Sequence, residues 1–292
     1  MLIDESYLKT LRLQEIPDGH LFCARIMRVN YRWLFGARVK LEGLENLPKD
    51  HSVLIAMNHT DRYTCWPFQY ALIEAGGHRF TSTWIKAKYY QNAFSRWVFE
   101  HCNGIPVPSR GYLILQEAKE RLGRMLTQEE YRAIRIASEQ DPKHSMSVLN
   151  DRLMHCVEEK TLEALENKKN HVLVFPQGTR SKRLLPSRIG MIQMAYKHQI
   201  PIIPVGASGC DTLYPGPSPW ARPGRVTYRI GKPLIFKGPQ DFKPFTGDAK
   251  RYETLFEKSA WELTREINQL LDSAYQLEIN ADFKTWAPDR LL

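Results

Sequence analysis

The strongest constraint on the fold is a series of short apolar, β-branched runs, each closed by polar or turn-forming residues. Val53–Ala56 has the length and side chains of a buried strand and leads into Met57-Asn58-His59-Thr60-Asp61. Phe80–Ile85 is a second such run, ending at Lys86-Ala87-Lys88, and Val172–Phe175 is a third, ending at Pro176-Gln177-Gly178. Ile202–Gly206 is a fourth, and Val226–Ile230 with the segment to Leu234 completes the set. Val39–Leu41 is a further short apolar run ahead of a turn at Gly43–Pro48, and residues 62–75 read as a helix. Strands that alternate with helical stretches predict an α/β fold with a largely parallel central sheet flanked by helices. Ligands of such sheets bind outside the carboxyl ends of the strands, where these polar clusters fall.

Three segments read as helices outside that alternation. In residues 1–38, Leu21, Phe22, Ile26, Val29, Trp33 and Leu34 recur at helical steps, interleaved with Arg25, Arg28, Arg32 and Arg38. That pattern suits an interfacial helix whose arginines meet lipid phosphates, or equally a surface helix packed on the core. Residues 111–170 are charged and nearly free of glycine, as expected of two or more helices joined near Asp141-Pro142. Residues 249–280 form another amphipathic stretch. The expected organisation is an N-terminal helical segment (1–38), one domain (39–248) with a helical insertion at 111–170, and a C-terminal helix and tail (249–292).

The 292 residues are 43% hydrophobic and 25% charged, which excludes wholesale disorder. The net charge of +9 favours phosphate-bearing partners: nucleic acid, anionic membrane, or phosphorylated and CoA-bearing metabolites. With no RNA-binding motif, zinc pattern or basic recognition helix, nucleic acid is not expected. The five cysteines are odd in number and lack a Cys-x-x-Cys pair, so a reducing, cytoplasmic setting is expected rather than a disulfide framework. Met1–Ser6 lacks a basic stretch followed by an apolar core, and no run of 18 apolar residues occurs, so neither a signal peptide nor a membrane span is expected.

Four polar patches could carry chemistry. His59 follows a strand directly, among cap-forming residues. Phe175-Pro176-Gln177-Gly178-Thr179-Arg180-Ser181 leaves a strand into a turn with backbone N–H groups, a hydroxyl and a guanidinium, a set that suits a phosphate. Asn103–Gly111 places Arg110 in a Gly/Pro-rich loop, and Ile200–Gly206 is a strand marked by Pro201 and Pro204. Each has an ordinary structural reading when taken alone.

In this order the four resemble the glycerolipid acyltransferase superfamily, of the 1-acylglycerol-3-phosphate O-acyltransferase type, over about residues 39–235. Residues 175–181 are similar to that family's Phe-Pro-Glu-Gly-Thr-Arg-Ser, with Gln177 in place of Glu, and Lys86 and Lys88 lie where the family often has a lysine. The resemblance implies transfer of a fatty acyl group from acyl-CoA or acyl carrier protein, as co-substrate, to a lysolipid hydroxyl at a membrane surface, with no further cofactor. His59 would be the general base, while Arg110, Gln177, Gly178, Thr179, Arg180 and Lys86 would hold the acceptor. Backbone amides near Pro204–Gly206 or at a helix N-terminus are candidate oxyanion donors. The family's first motif is His-x-x-x-x-Asp, whereas here the last position is Thr64. Thr64, as the positional equivalent, is expected to accept a weak hydrogen bond from the imidazole; the alternative is that Asp61 turns toward it through an irregular turn. The departures keep two alternatives open: a catalytically weakened lipid- or acyl-CoA-binding homologue, and an acyltransferase for another acceptor lipid.

Overall fold

The computed structural model describes residues 3–31, 36–141 and 143–277. Seven strands form one sheet: β1 (Ala37–Glu42), β2 (Leu54–Met57), β3 (Thr81–Lys86), β4 (Gly104–Val107), β5 (His171–Val174), β6 (Ile202–Ser208) and β7 (Gly224–Ile230). Their spatial order is β1-β7-β6-β2-β5-β3-β4, and every neighbouring pair is parallel except β6 with β7. The helices are α1 (Glu5–Thr10), α2 (Asp18–Val29), α3 (Cys65–Ala75), α4 (Ala93–His101), α5 (Arg110–Leu122), α6 (Gln128–Gln140), α7 (Ser145–Leu162), α8 (Gly190–His198), α9 (Cys210–Leu213) and α10 (Glu253–Gln269).

The strand residues alternate between two cores, as a period of two requires. Leu54, Ala56, Val172 and Val174 face a layer built from α1, α5, α7, α8 and α10. Val53, Ile55, Met57 and Leu173 face a layer built from α2, α3 and α9. β2, β5 and β6 are buried along their whole length, so both faces must be apolar, and continuous β-branched runs mark them. Burial of each such side chain stabilises the fold by roughly 1.5–3 kcal/mol, which makes the centre of the sheet a rigid frame for the loops at the strand ends.

One sequence expectation changes and two are filled in. Asn103–Gly111 is not a plain loop, because Gly104–Val107 pairs with β3 as the edge strand β4. Pro106 is tolerated there since an edge strand has one side with no ladder partner. Val39–Leu41 belongs to β1, at the opposite edge beside β7. In α2 the buried residues are His20, Ala24 and Met27, whereas Leu21, Phe22 and Val29 point outward, 40%, 58% and 43% exposed. Trp33, Leu34, Arg32 and Pro142 lie outside the described residues, as does the chain beyond 277. Residues 111–170 hold most of α5, all of α6 and α7, and a π-helical turn at Glu163–Asn167. No helix among the described residues is long and apolar enough to cross a membrane.

Candidate active site

His59 leaves the carboxyl end of β2 between the ends of β5 and β6. Asn58 places it. This fully buried side chain donates to the Ala207 carbonyl at 2.9 Å and accepts from the Ala207 amide at 2.7 Å, extending the β2–β6 pairing beyond the backbone ladder. The turn after β5 then docks on His59. Its carbonyl accepts from the Ser181 amide at 2.9 Å and from Gln177 Nε2 at 3.3 Å, and Nε2 also donates to the Thr179 carbonyl at 2.8 Å. A glutamate carboxylate has no proton to give two carbonyls, so Gln177 makes bonds here that an ionised acid could not. The Phe175 ring stacks on the imidazole, with centroids 4.1 Å apart and planes at 19°.

Gly178 has φ +69°, a left-handed conformation that disfavours any side chain. A Cβ there would also stand 2.6 Å from Arg188 Nε, so the glycine lets that guanidinium lie against the turn. Lys86 ends β3, next to β5 in the sheet. It is held below the ordinary lysine range by desolvation and by the cations Lys88, Arg188 and Arg180. Arg188 is likewise lowered, by desolvation and then by Arg135. Among the described residues none of Lys86, Lys88, Arg180 and Arg188 pairs with a carboxylate. The amides of Thr179 and Arg180 make no hydrogen bond within the described residues.

This cationic cluster acts on His59. Desolvation of the half-buried ring lowers it most, followed by the charges of Arg180 and Lys86, and together they bring it down to about 3. The imidazole is therefore neutral at physiological pH. Its Nδ1 is buried with no hydrogen-bond partner among the described residues, which leaves Nε2 to meet a substrate.

The structure therefore brings His59, Lys86, Gln177, Gly178, Thr179 and Arg180 together at one end of the sheet. It does not join Thr64 or Asp61 to the imidazole. The Thr64 hydroxyl donates to Asp61 Oδ2 at 2.7 Å, and Asp61 also accepts from Thr60 Oγ1 at 2.9 Å and the Tyr63 amide at 2.7 Å. This buried carboxylate organises the turn into α3 and bonds neither nitrogen of His59. Arg110 opens α5 after β4, at the same end of the sheet, where its charge acts on Asp151 of α7. Val205 and Gly206 lie inside the β6 ladders to β2 and β7 rather than facing a site. Asn58 and Phe175 stand inside the quoted motifs, but the sequence assigns a role to neither of them nor to Arg188. Only the stacking partner had a local signal, an aromatic next to the Pro-Gln-Gly turn.

A family model described as Acyltransferase matches residues 38–208, more than half of the chain. The 1-acyl-sn-glycerol-3-phosphate acyltransferase of Cocos nucifera is 34% identical over 73 residues, 24% of this chain and 24% of that protein. The chain thus matches about a quarter of the length of that curated relative. The crystal structure of the 1-acyl-sn-glycerophosphate (LPA) acyltransferase PlsC from Thermotoga maritima is similar with a TM-score of 0.43 and 21% identity, over 89% of this chain and 80% of that one.

Proposed function

The chain belongs to the acyltransferase family, and from that premise we propose that it moves a fatty acyl group from acyl-CoA or acyl carrier protein to the hydroxyl of a lysophospholipid such as 1-acylglycerol-3-phosphate. The observation that carries this reading is one neutral imidazole under the direct influence of two cations, Arg180 and Lys86, that pair with no carboxylate among the described residues. The acceptor hydroxyl loses its proton to His59 Nε2 as its oxygen attacks the thioester carbonyl carbon. The tetrahedral intermediate collapses with cleavage of the C–S bond, and the departing thiolate recovers a proton from the imidazolium. Arg180, Lys86 and the free amides of Thr179 and Arg180 hold the acceptor phosphate through charge-assisted bonds. A bound dianion cancels the two charges that depress His59, so the base strengthens when the correct acceptor is in place.

Two neighbouring helices support a membrane-facing role. α2 packs against α4 and presents Phe22, while α4 presents Phe94 and Trp97, 73% and 50% exposed. With exposed Arg25 one turn from Phe22, this face suits insertion at the headgroup level of an anionic bilayer, whereas Arg28 pairs with Glu74 of α3 at 2.9 Å. The five cysteines are all free, in keeping with the cytoplasmic side.

The unpartnered Nδ1 of His59 favours a second reading, a homologue that binds lysolipid or acyl-CoA but turns over weakly. The tautomer with Nε2 free for a proton needs Nδ1–H, which faces no acceptor among the described residues. Thioester consumption with acyl-CoA and a lysolipid panel separates the two. On the enzymatic reading His59→Ala lowers turnover by about 10²–10⁴-fold, and Arg180→Ala raises the acceptor KM by about 10–100-fold. Acceptor binding without thioester consumption by the unaltered protein selects the second reading.

A further inference from the structure

Cys23 lies on α2, one turn beyond Gly19, and Cys102 directly follows α4. The two helices meet in backbone contact at this point. A Cβ on Gly19 would stand 2.6 Å from the His101 carbonyl oxygen and 2.8 Å from Cys102 Sγ. The next residue, His20, holds the Cys102 carbonyl through Nε2 at 3.0 Å. Side chains four apart on a helix share a face and lean toward its N-terminus, so the Cys23 thiol extends over the Gly19 position that Cys102 Sγ borders. Both cysteines are half-buried, neither sealed in a core nor fully solvated.

The thiols also differ in character. The Cys102 thiol beside it holds Cys23 below the ordinary thiol range, while the same contact and burial push Cys102 up. Cys23 is therefore the attacking sulfur and Cys102 the resolving one. Cys65, the first residue of α3, is the third thiol nearby, and burial pushes it up to about 12, where it is a poor nucleophile. Among the described residues no group of three His, Cys, Asp or Glu side chains is placed to hold a metal ion, so the cluster does not read as a metal site.

We propose that Cys23 and Cys102 form a reversible disulfide that ties α2 to the end of α4. With hydrogen peroxide as oxidant, the Cys23 thiolate attacks one peroxide oxygen. The O–O bond breaks, leaving Cys23 sulfenic acid and hydroxide. The Cys102 sulfur then attacks the sulfenic sulfur, the S–S bond forms and the S–O bond breaks. The oxygen leaves as water with the Cys102 proton, so two thiols are oxidised and one peroxide is reduced to two waters. Exchange with a dithiol reverses the bond. Closure fixes the helix that carries Phe22 to the helix that carries Phe94 and Trp97.

The test is peptide mapping by mass spectrometry. The reduced full-length protein is treated with equimolar peroxide, quenched with an alkylating agent and digested. The expected product is one cross-linked pair of peptides joining Cys23 to Cys102, lost on treatment with dithiothreitol. In Cys102→Ser no cross-link to Cys23 forms, and in Cys65→Ser the cross-link forms as before. Alkylation of both cysteines after peroxide, pairing of Cys23 with Cys65, or loss of the cross-link in Cys65→Ser overturns the proposal. Mapping of the unaltered chain decides the matter even if a variant fails to fold.

Discussion

The charges of Arg180 and Lys86 help make His59 a weak base, and they are also what an acceptor phosphate would neutralise. On the proposed function, this would tie proton abstraction to acceptor binding at the level of single residues. NMR titration of the His59 ring protons should give a midpoint near 3 in the unliganded protein, set first by burial and then by the two cations, and a higher midpoint with a lysophosphatidic acid analogue bound. Coincident midpoints would show that the cations and the ligand do not communicate with the ring. Part of this arrangement was readable in the sequence. His59, Lys86 and Arg180 each follow an apolar β-branched run, and parallel strands deliver such positions to one end of the sheet. The orientation of the ring was not readable. Stacking on Phe175 and bonds to the His59 carbonyl depend on how the turn after β5 folds back over β2, and spacing alone does not encode that. Nor could spacing show that Thr64 commits its proton to Asp61, three residues away.

Among the elements, the junction of β2 with β6 does the most to place the site. Asn58→Ala leaves the Ala207 amide and carbonyl buried without partners, at a cost of about 2–4 kcal/mol. Urea unfolding should show a lower midpoint at an unchanged m-value, and a midpoint like that of the unaltered protein would mean that water replaces the side chain. The paired helices α2 and α4 carry a different expectation. Phe94→Ser with Trp97→Ser should weaken sedimentation with anionic vesicles by about tenfold or more while leaving the fold intact, and unchanged pelleting would remove α4 from the membrane face. Legibility also varied by element. β2, β5 and β6 are buried on both faces and announced themselves as unbroken apolar runs. β4 carries Gly104 and Pro106, which read as a loop because the sequence does not say which strand will be an edge. The period of α2 was visible, but the side it buries was set by α3 and α4, which the periodicity of α2 alone cannot report.

Across the whole molecule, buried neutral histidines couple stability to acidity. Burial holds His20 and His171 down at about 4 and about 3, and both are buried within described structure. Their folded forms refuse protons that the unfolded chain accepts below its ordinary value of about 6.5. The stability they contribute is therefore complete above that value and drains away as pH falls toward 3–4. Urea midpoints should decline by an amount equivalent to roughly 3–6 kcal/mol between about pH 7 and pH 4, carboxylates adding to the fall below about pH 5. His171→Gln should flatten the slope between about pH 6.5 and pH 5, and an unchanged slope would acquit that residue.

The pairing of β1 with β7 joins residues 37–42 to residues 224–229. The chain between them must therefore leave the ribosome before β1 meets β7, its one neighbour among the described strands. Until then that edge of the sheet stays unfinished and open to a chaperone. The order in which the strands are made thus leaves one end of the sheet open until its last strand arrives.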